Sequence, residues 1–456
     1  MPAFAPLTPL AEAARQLARR RSTSVQLTET ALERARAGEG PRAYTHLYTD
    51  SALAEARASD LLRAAGIVRS PIEGLPISVK DLFDVQGHVT HAGSKLLQGS
   101  VPAAADATAV ARLRAAGAVI VGSTNMTEFA FSGIGINPHY GTPRNPWGRE
   151  DGGGRIPGGS SSGAAVSVTD GMALAAIGTD TGGSVRIPSA LCGLTGFKPT
   201  ARRIPATGAL PLSTTLDSIG PLAPSVRCCA LLDSLLAGEP WTEPVPADLA
   251  RMRLLAPSNL VQDDLDTAVA DAWEQALERL ARAGARITHA PLEPLDELAA
   301  IHANGTLSNA EAWAWHRSYF PEQQGAYDPR VASRILVGSR MNAADYIDLL
   351  DARRRWIAAM RDALADHDAF VMPTLPIIAP EIAPLQASDD AFFAANALIL
   401  RNPSLVNFLD GCAVSLPIHA AGQAPVGLSL AAPGGHDRRL LALALAVEAA
   451  LSRAAP

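Results

Sequence analysis

Gly178-Thr179-Asp180-Thr181-Gly182-Gly183-Ser184-Val185-Arg186-Ile187-Pro188 is the stretch on which the fold of this chain is read. The apolar run Met172 to Ile177 just before it predicts a strand, which delivers Gly178-Thr179-Asp180 to a glycine turn. Gly182 and Gly183 permit positive φ, and the turn then offers consecutive N–H groups with little side-chain obstruction. Such a nest can bind a developing oxyanion. Upstream, Gly158-Gly159-Ser160-Ser161-Ser162-Gly163 opens a helix predicted over Ala164 to Val168. A helix and a strand fit between Ser160 and Ser184, so the two serine motifs can face each other. Further upstream, Gly74-Leu75-Pro76-Ile77-Ser78-Val79-Lys80-Asp81 holds a buried-strand candidate, Leu75 to Val79, that ends at Lys80.

An ordinary serine is a poor nucleophile and needs a base within hydrogen-bond reach. Of the 39 Lys and Arg residues only Lys80, Lys95 and Lys198 are lysines. Arginine stays charged at any working pH, whereas a buried lysine can lose its proton. A neutral Lys80 can be the base and a second serine can relay the proton. The competing reading is a lysine of no chemical role at a strand end.

Composition narrows the class. The 456 residues are 48% hydrophobic and 18% charged, which fits a folded enzyme with a large core. The formal charge of −6 argues against a nucleic-acid or anionic-membrane surface. The four cysteines, Cys192, Cys228, Cys229 and Cys412, form no C-x-x-C pair and fit a reducing cytoplasm. No basic segment followed by an apolar stretch opens the chain, so no secretory signal is expected. The apolar run Leu440 to Val447 is too short to span a bilayer and reads as a packed C-terminal helix.

Along the chain, helices are predicted over Leu10 to Arg20, Val25 to Ala37 and Ser51 to Ala65, making residues 1–65 helical. Asp106 is a cap candidate for a helix that runs to Ala116 and stops at Gly117, and Ala118 to Val121 is a strand. Helix, glycine, strand in this order predicts a sheet with helices on its faces. Residues 132–163 form a long Gly-, Pro- and Asn-rich segment, a length more typical of function than of simple connection. Pro221 to Pro224 reads as punctuation before a helix from Ser225 to Ala237, and 238–250 as a surface linker. Helices over Asp263 to Ala283 and Ala343 to Leu364, and strands over Ala369 to Met372 and Gly427 to Ala431, follow. Strands spread over the whole chain favour one large domain, 1–456.

Taken together, these motifs resemble the amidase signature family, the Ser–cis-Ser–Lys amide hydrolases. The resemblance rests on Gly74 to Asp81, Thr90-His91-Ala92-Gly93-Ser94, Thr124-Asn125-Met126-Thr127-Glu128-Phe129-Ala130, Asn145-Pro146, Pro157 to Ser161, Gly178 to Pro188 and Gly193 to Thr200. It is dense from about 70 to 225 and returns in Val371 to Pro376 and Asn407 to Pro417. It implies an α/β fold with a large central mixed β-sheet covered by helices on both faces. It further implies Ser184 as nucleophile, Ser160 as bridging serine on a cis peptide after Gly159, and Lys80 as base. The N–H groups of Thr181, Gly182, Gly183 and Ser184 are the implied oxyanion hole. Ala130, Ser160 and Thr181 are the implied substrate contacts, with Ser161, Asp180 and Arg186 in support. Ser162 stands where the family often has glycine, and Glu150 to Arg155 lengthens the loop before Pro157.

The implied activity is cleavage of a small carboxamide to carboxylate and ammonia, with no metal or organic cofactor, no nucleic-acid or membrane partner, and a homodimer left open. Three classes stand: a free-standing amidase, with hydrolases of urea-like amides as a subclass; the glutamine-hydrolysing A subunit of a glutamyl-tRNA amidotransferase; and a non-catalytic binding protein, which intact Lys80, Ser160 and Ser184 disfavour. The amidotransferase subunit carries an acidic residue where this chain aligns Leu400, which leaves a glutamine ammonium unpaired. Arg334 remains able to meet a carboxylate. Ala130 to Ile136, the 300–345 part of a variable substrate-pocket region at about 240–345, and Leu400 to Phe408 are the expected pocket walls, apolar enough for an aliphatic or aryl acyl group. Gly152 to Ser160 lacks the Gly-Lys-Ser/Thr ending of a phosphate loop, His88 and His91 lack a third metal ligand, and His139 or His419 would serve only a Ser-His-Asp arrangement.

Overall fold

Local capping sets the N-terminal part. Thr23 accepts from the Gln26 N–H while the Gln26 side chain returns to Thr23, so a capping box starts the helix Ser24–Ala35. The helices Leu10–Ala18 and Thr49–Ala64 flank it, close to their predicted spans. The computed structural model describes residues 7–150 and 153–452; Asp151 and Gly152 of the lengthened loop lie outside them. Asp106 does not cap its helix. Thr108–Ala115 follows Ala107 without a side-chain cap, because Asp106 is drawn to the Arg114 guanidinium at 2.6 Å and to the Gln86 N–H at 2.8 Å.

Among the described residues eleven strands form one mixed sheet covered by helices on both faces. They are β1 (Tyr44–Leu47), β2 (Pro76–Lys80), β3 (Val119–Thr124), β4 (Ala175–Asp180), β5 (Thr195–Lys198) and β6 (Ser218–Ala223). The rest are β7 (Arg253–Pro257), β8 (Arg286–Ala290), β9 (Ala369–Pro373), β10 (Cys412–Pro417) and β11 (Gly427–Ala432). Their order is β1-β3-β2-β4-β6-β5-β10-β11-β9-β7-β8. β2 is parallel to both β3 and β4, and β9, β7 and β8 are parallel; the remaining neighbours are antiparallel. Every residue of β2, β3, β4 and β6 is buried, which explains their continuous apolar runs.

Two prolines hide regular structure from a sequence reading. Pro221 lies inside β6, opposite Ile177 of β4. On its other side β5 pairs through Thr195 with Ala223 and Gly196 with Leu222, so Pro221, which has no N–H to give, lies just beyond the paired part of that neighbour. Pro403 lies inside the helix Asp389–Phe408. That helix is anchored next to it, where Asn402 Nδ2 donates to the carbonyls of Val261 and Pro373, each at 2.9 Å. No helix among the described residues is long and apolar enough to cross a membrane.

Candidate active site

Two neighbouring parallel strands carry the site. β2 delivers Lys80 and β4 delivers Thr179 and Asp180, with Val79 in register with Ile177. Lys80 Nζ donates to Ser160 Oγ at 2.7 Å and to Thr179 Oγ1 at 3.0 Å. Lys80 and Ser160 are fully buried. Burial pushes the Lys80 amine down to about 7, with the charges of Asp217 and Asp180 acting against it. The Gly159–Ser160 peptide is cis. The serine run feeds the helix Ser162–Thr169, and Ser161 donates its N–H to the Ser184 carbonyl at 3.4 Å. Ser160, at one end of that run, and Ser184 are thereby brought to the same end of the sheet.

The turn after β4 is held from below by Asp180. Its Oδ1 accepts from the Gly183 N–H at 2.8 Å, Arg186 Nη2 at 2.9 Å and Asn407 Nδ2 at 2.9 Å. Its Oδ2 accepts from the Val185 N–H at 3.2 Å and Arg186 Nε at 3.0 Å. Burial would raise the Asp180 carboxyl, but the Arg186 guanidinium and its hydrogen bonds hold it at about 2. Gly183 sits at φ +127°, and a Cβ there would stand 2.5 Å from Pro403 Cβ. Its N–H is turned to Asp180, which narrows the expected donor set. The N–H groups of Thr181, Gly182 and Ser184 meet no acceptor among the described residues. Arg186→Met would leave Asp180 buried without its cation; we expect a loss of about 3–5 kcal/mol of stability, read from the denaturant midpoint.

A cavity of about 450 Å³ opens on this turn. Thr181, Gly182, Ser184 and Ala130 face it, as do Phe131, Ser132, Leu400, Leu405 and Phe408. The cavity also takes Leu260, Leu298 and Ala299 from the 240–345 region, and Leu212 and Leu216, which sequence reasoning missed. Ser160 and Ser161 lie beneath the wall, fully buried, rather than in it. Among the described residues facing the cavity none is Asp or Glu, while Arg334 and Arg401 both reach it. The Arg334 guanidinium lies 4.8 Å over the Phe131 ring. Its Nε is buried without a hydrogen-bond partner. Burial pushes Arg334 down to about 10, so it remains a cation at neutral pH.

Other residues singled out by sequence go elsewhere. His139 Nε2 pairs with Glu128 Oε1 at 2.8 Å, His91 lies beside Asp81, and the His88 ring packs tilted against Tyr48. His419 packs near Gly193. Thr179 and Asn407 stood in the quoted motifs without a role, and Asp217 escaped notice. Asn407 bridges Asp180 and Arg186 Nη2, the latter at 2.7 Å, and Asp217 accepts from the Thr181 hydroxyl. The structure thus brings a buried amine–hydroxyl pair, Lys80 and Ser160, to the end of the sheet where the Ser184 turn faces a cavity, parts of the kind that carbonyl addition requires.

Residues 26–441 match the Amidase family. The 2-amino-5-chloromuconic acid deaminase of Comamonas testosteroni is 37% identical over 453 residues, covering 97% of this chain and 96% of that protein. The A subunit of the glutamyl-tRNA(Gln) amidotransferase from Roseiflexus sp. (strain RS-1) is 34% identical, covering 95% and 94% respectively. A crystal structure of an amidase superposes with a TM-score of 0.86 at 35% identity, covering 97% of this chain and 99% of that one.

Proposed function

Because this chain belongs to the amidase family and is a hydrolase of amide C–N bonds, we propose that it cleaves a small carboxamide through an acyl-enzyme on Ser184, with Ser160 and Lys80 as the proton relay. Neutral Lys80 draws the Ser160 proton as Ser160 takes that of Ser184, whose Oγ attacks the carbonyl. The N–H groups of Thr181, Gly182 and Ser184 receive the oxyanion. The relay returns the proton to the amine, ammonia leaves, and water hydrolyses the ester by the same route. The observation that carries this reading is the 2.7 Å Lys80–Ser160 hydrogen bond, buried under a cavity that Ser184 faces.

The acyl group is aliphatic or aryl and ends in a carboxylate that meets Arg334. Arg334 supports this as a cation reaching a pocket that no acidic residue faces. The relative from Comamonas testosteroni is named for an acid, in keeping with such a substrate. Leu400 disfavours glutamine, whose ammonium would find no acidic partner in the pocket.

The test is twofold. A fluorophosphonate should label Ser184, mapped by peptide mass spectrometry. Ammonia release should be fastest on monoamides of dicarboxylic acids in a panel that includes acetamide, propionamide, arylacetamides, glutamine and biuret. Labelling of another side chain would end the assignment of Ser184, and glutamine as sole substrate would favour the amidotransferase reading.

A further inference from the structure

The register of β4 against β6 sets Asp180 opposite Ser218. The next residue out from each strand end, Thr181 and Asp217, therefore meet beyond the sheet. The Thr181 hydroxyl donates to Asp217 Oδ1. Asp217 Oδ2 accepts from the N–H groups of Leu212 at 3.0 Å and Ser213 at 3.1 Å. The Asp217 N–H returns to the Ser213 carbonyl at 2.9 Å. One carboxylate thus closes the 212–217 turn, whose Leu212 and Leu216 face the cavity, and ties it to the first residue of the oxyanion turn. Glu311 holds the same segment from the far side, accepting from Ser213 Oγ at 2.6 Å and from the Thr215 N–H at 3.0 Å.

We propose that Asp217 is a positioning residue for the reaction: it fixes Thr181, and with it the first N–H donor, relative to the Lys80–Ser160 pair and the Leu212–Leu216 wall. This rests on the reading of Ser184 as nucleophile and of the 181–184 turn as its oxyanion site. Asp217 touches the turn through the Thr181 side chain and does not itself contact the reacting atoms. Its charge also acts on Lys80. The ionisable groups in this region are Lys80, Asp217 and Asp180, with Arg186 and Lys198 acting on Asp180 and Glu311 on the far side of the 212–217 turn. Burial pushes the Asp217 carboxyl up to about 6, while its three donors and Lys80 favour the anion, so it is ionised at neutral pH.

Asp217→Asn and Thr181→Val separate the two effects. Both should lower kcat by about 10- to 100-fold, below the loss of an entire oxyanion donor, with KM little changed. In Asp217→Asn the rising limb of kcat/KM should also move to lower pH, because the lost anion favoured protonated Lys80. In Thr181→Val the limb should stay, and Thr181→Ser should recover most of the loss. Melting curves check that each variant is folded. A fixed limb in Asp217→Asn, or wild-type kcat in Thr181→Val, would overturn the proposal even with the fluorophosphonate on Ser184. A label on another residue would overturn it together with the reading beneath it.

Discussion

Lys80→Met is expected to lower kcat/KM by about 10⁴-fold while the protein remains folded. Methionine fills a similar volume and needs no solvation, so a side chain held by two hydroxyls, Ser160 and Thr179, is exchanged for one that packs without charge. What disappears is the proton acceptor. Lys80→Arg is expected to be equally inactive, because a guanidinium stays protonated and cannot accept the serine proton. In the wild type, Lys80 is a cation below about pH 7 and neutral above it. The neutral form is the base, so kcat/KM should rise with pH through about 7 and then level off. Stopped ammonia assays from pH 5 to 9 read the limb, and melting curves report the fold. A Lys80→Met enzyme with wild-type turnover would remove the relay, as would a wild-type profile flat from pH 5 to 8.

The mixed sheet with helices on both faces and the motifs that meet at the candidate site were legible in the sequence, several single elements were not, and the reasons are local. Lys80, Ser160, Ser184 and the 181–184 turn lie in short glycine-rich motifs, where backbone demands restrict residue choice. The apolar runs of β2, β3 and β4 were readable because those strands are buried on both faces. β4 begins later than expected because the Met172 N–H turns back to the Ser167 carbonyl, at 2.8 Å, before extended pairing starts. β6 was hidden because Pro221 to Pro224 read as punctuation, and the helix Asp389–Phe408, which carries Pro403 in its interior, was not anticipated. Asp217 left no signal, since its partner Thr181 is far away in sequence and is brought near only by the β4–β6 register. The Gly183 N–H shows the complementary limit: a loop sequence can offer four donors, but only coordinates reveal that Asp180 takes one.

Arg334→Met carries the second large expected effect. For an amide whose acyl chain ends in a carboxylate, kcat/KM should fall about 10²–10³-fold, mostly through KM, because the contact lies away from the reacting carbonyl. Arg334 sits on the helix Pro329–Val337, which Asp328 caps by accepting from the Arg330 N–H at 2.9 Å. The Asp328 N–H is itself fixed to Glu128 Oε2 at 2.7 Å, and Asn309 Nδ2 donates to the Arg334 carbonyl at 3.0 Å. The backbone is therefore held while the guanidinium lies over Phe131 with its Nε unsatisfied. A buried donor without an acceptor costs about 1–3 kcal/mol, which an incoming carboxylate would offset. Neutral amides gain nothing from that cation, so the variant should prefer them over the anionic substrate and reverse the wild-type order. Arg334→Lys, with a charge but no planar fork, should fall between the two. Competition assays with paired neutral and anionic amides of equal length read the reversal directly. An Arg334→Met enzyme that keeps the wild-type preference would place the recognition of the acyl chain on another side chain and leave the anionic substrate without support.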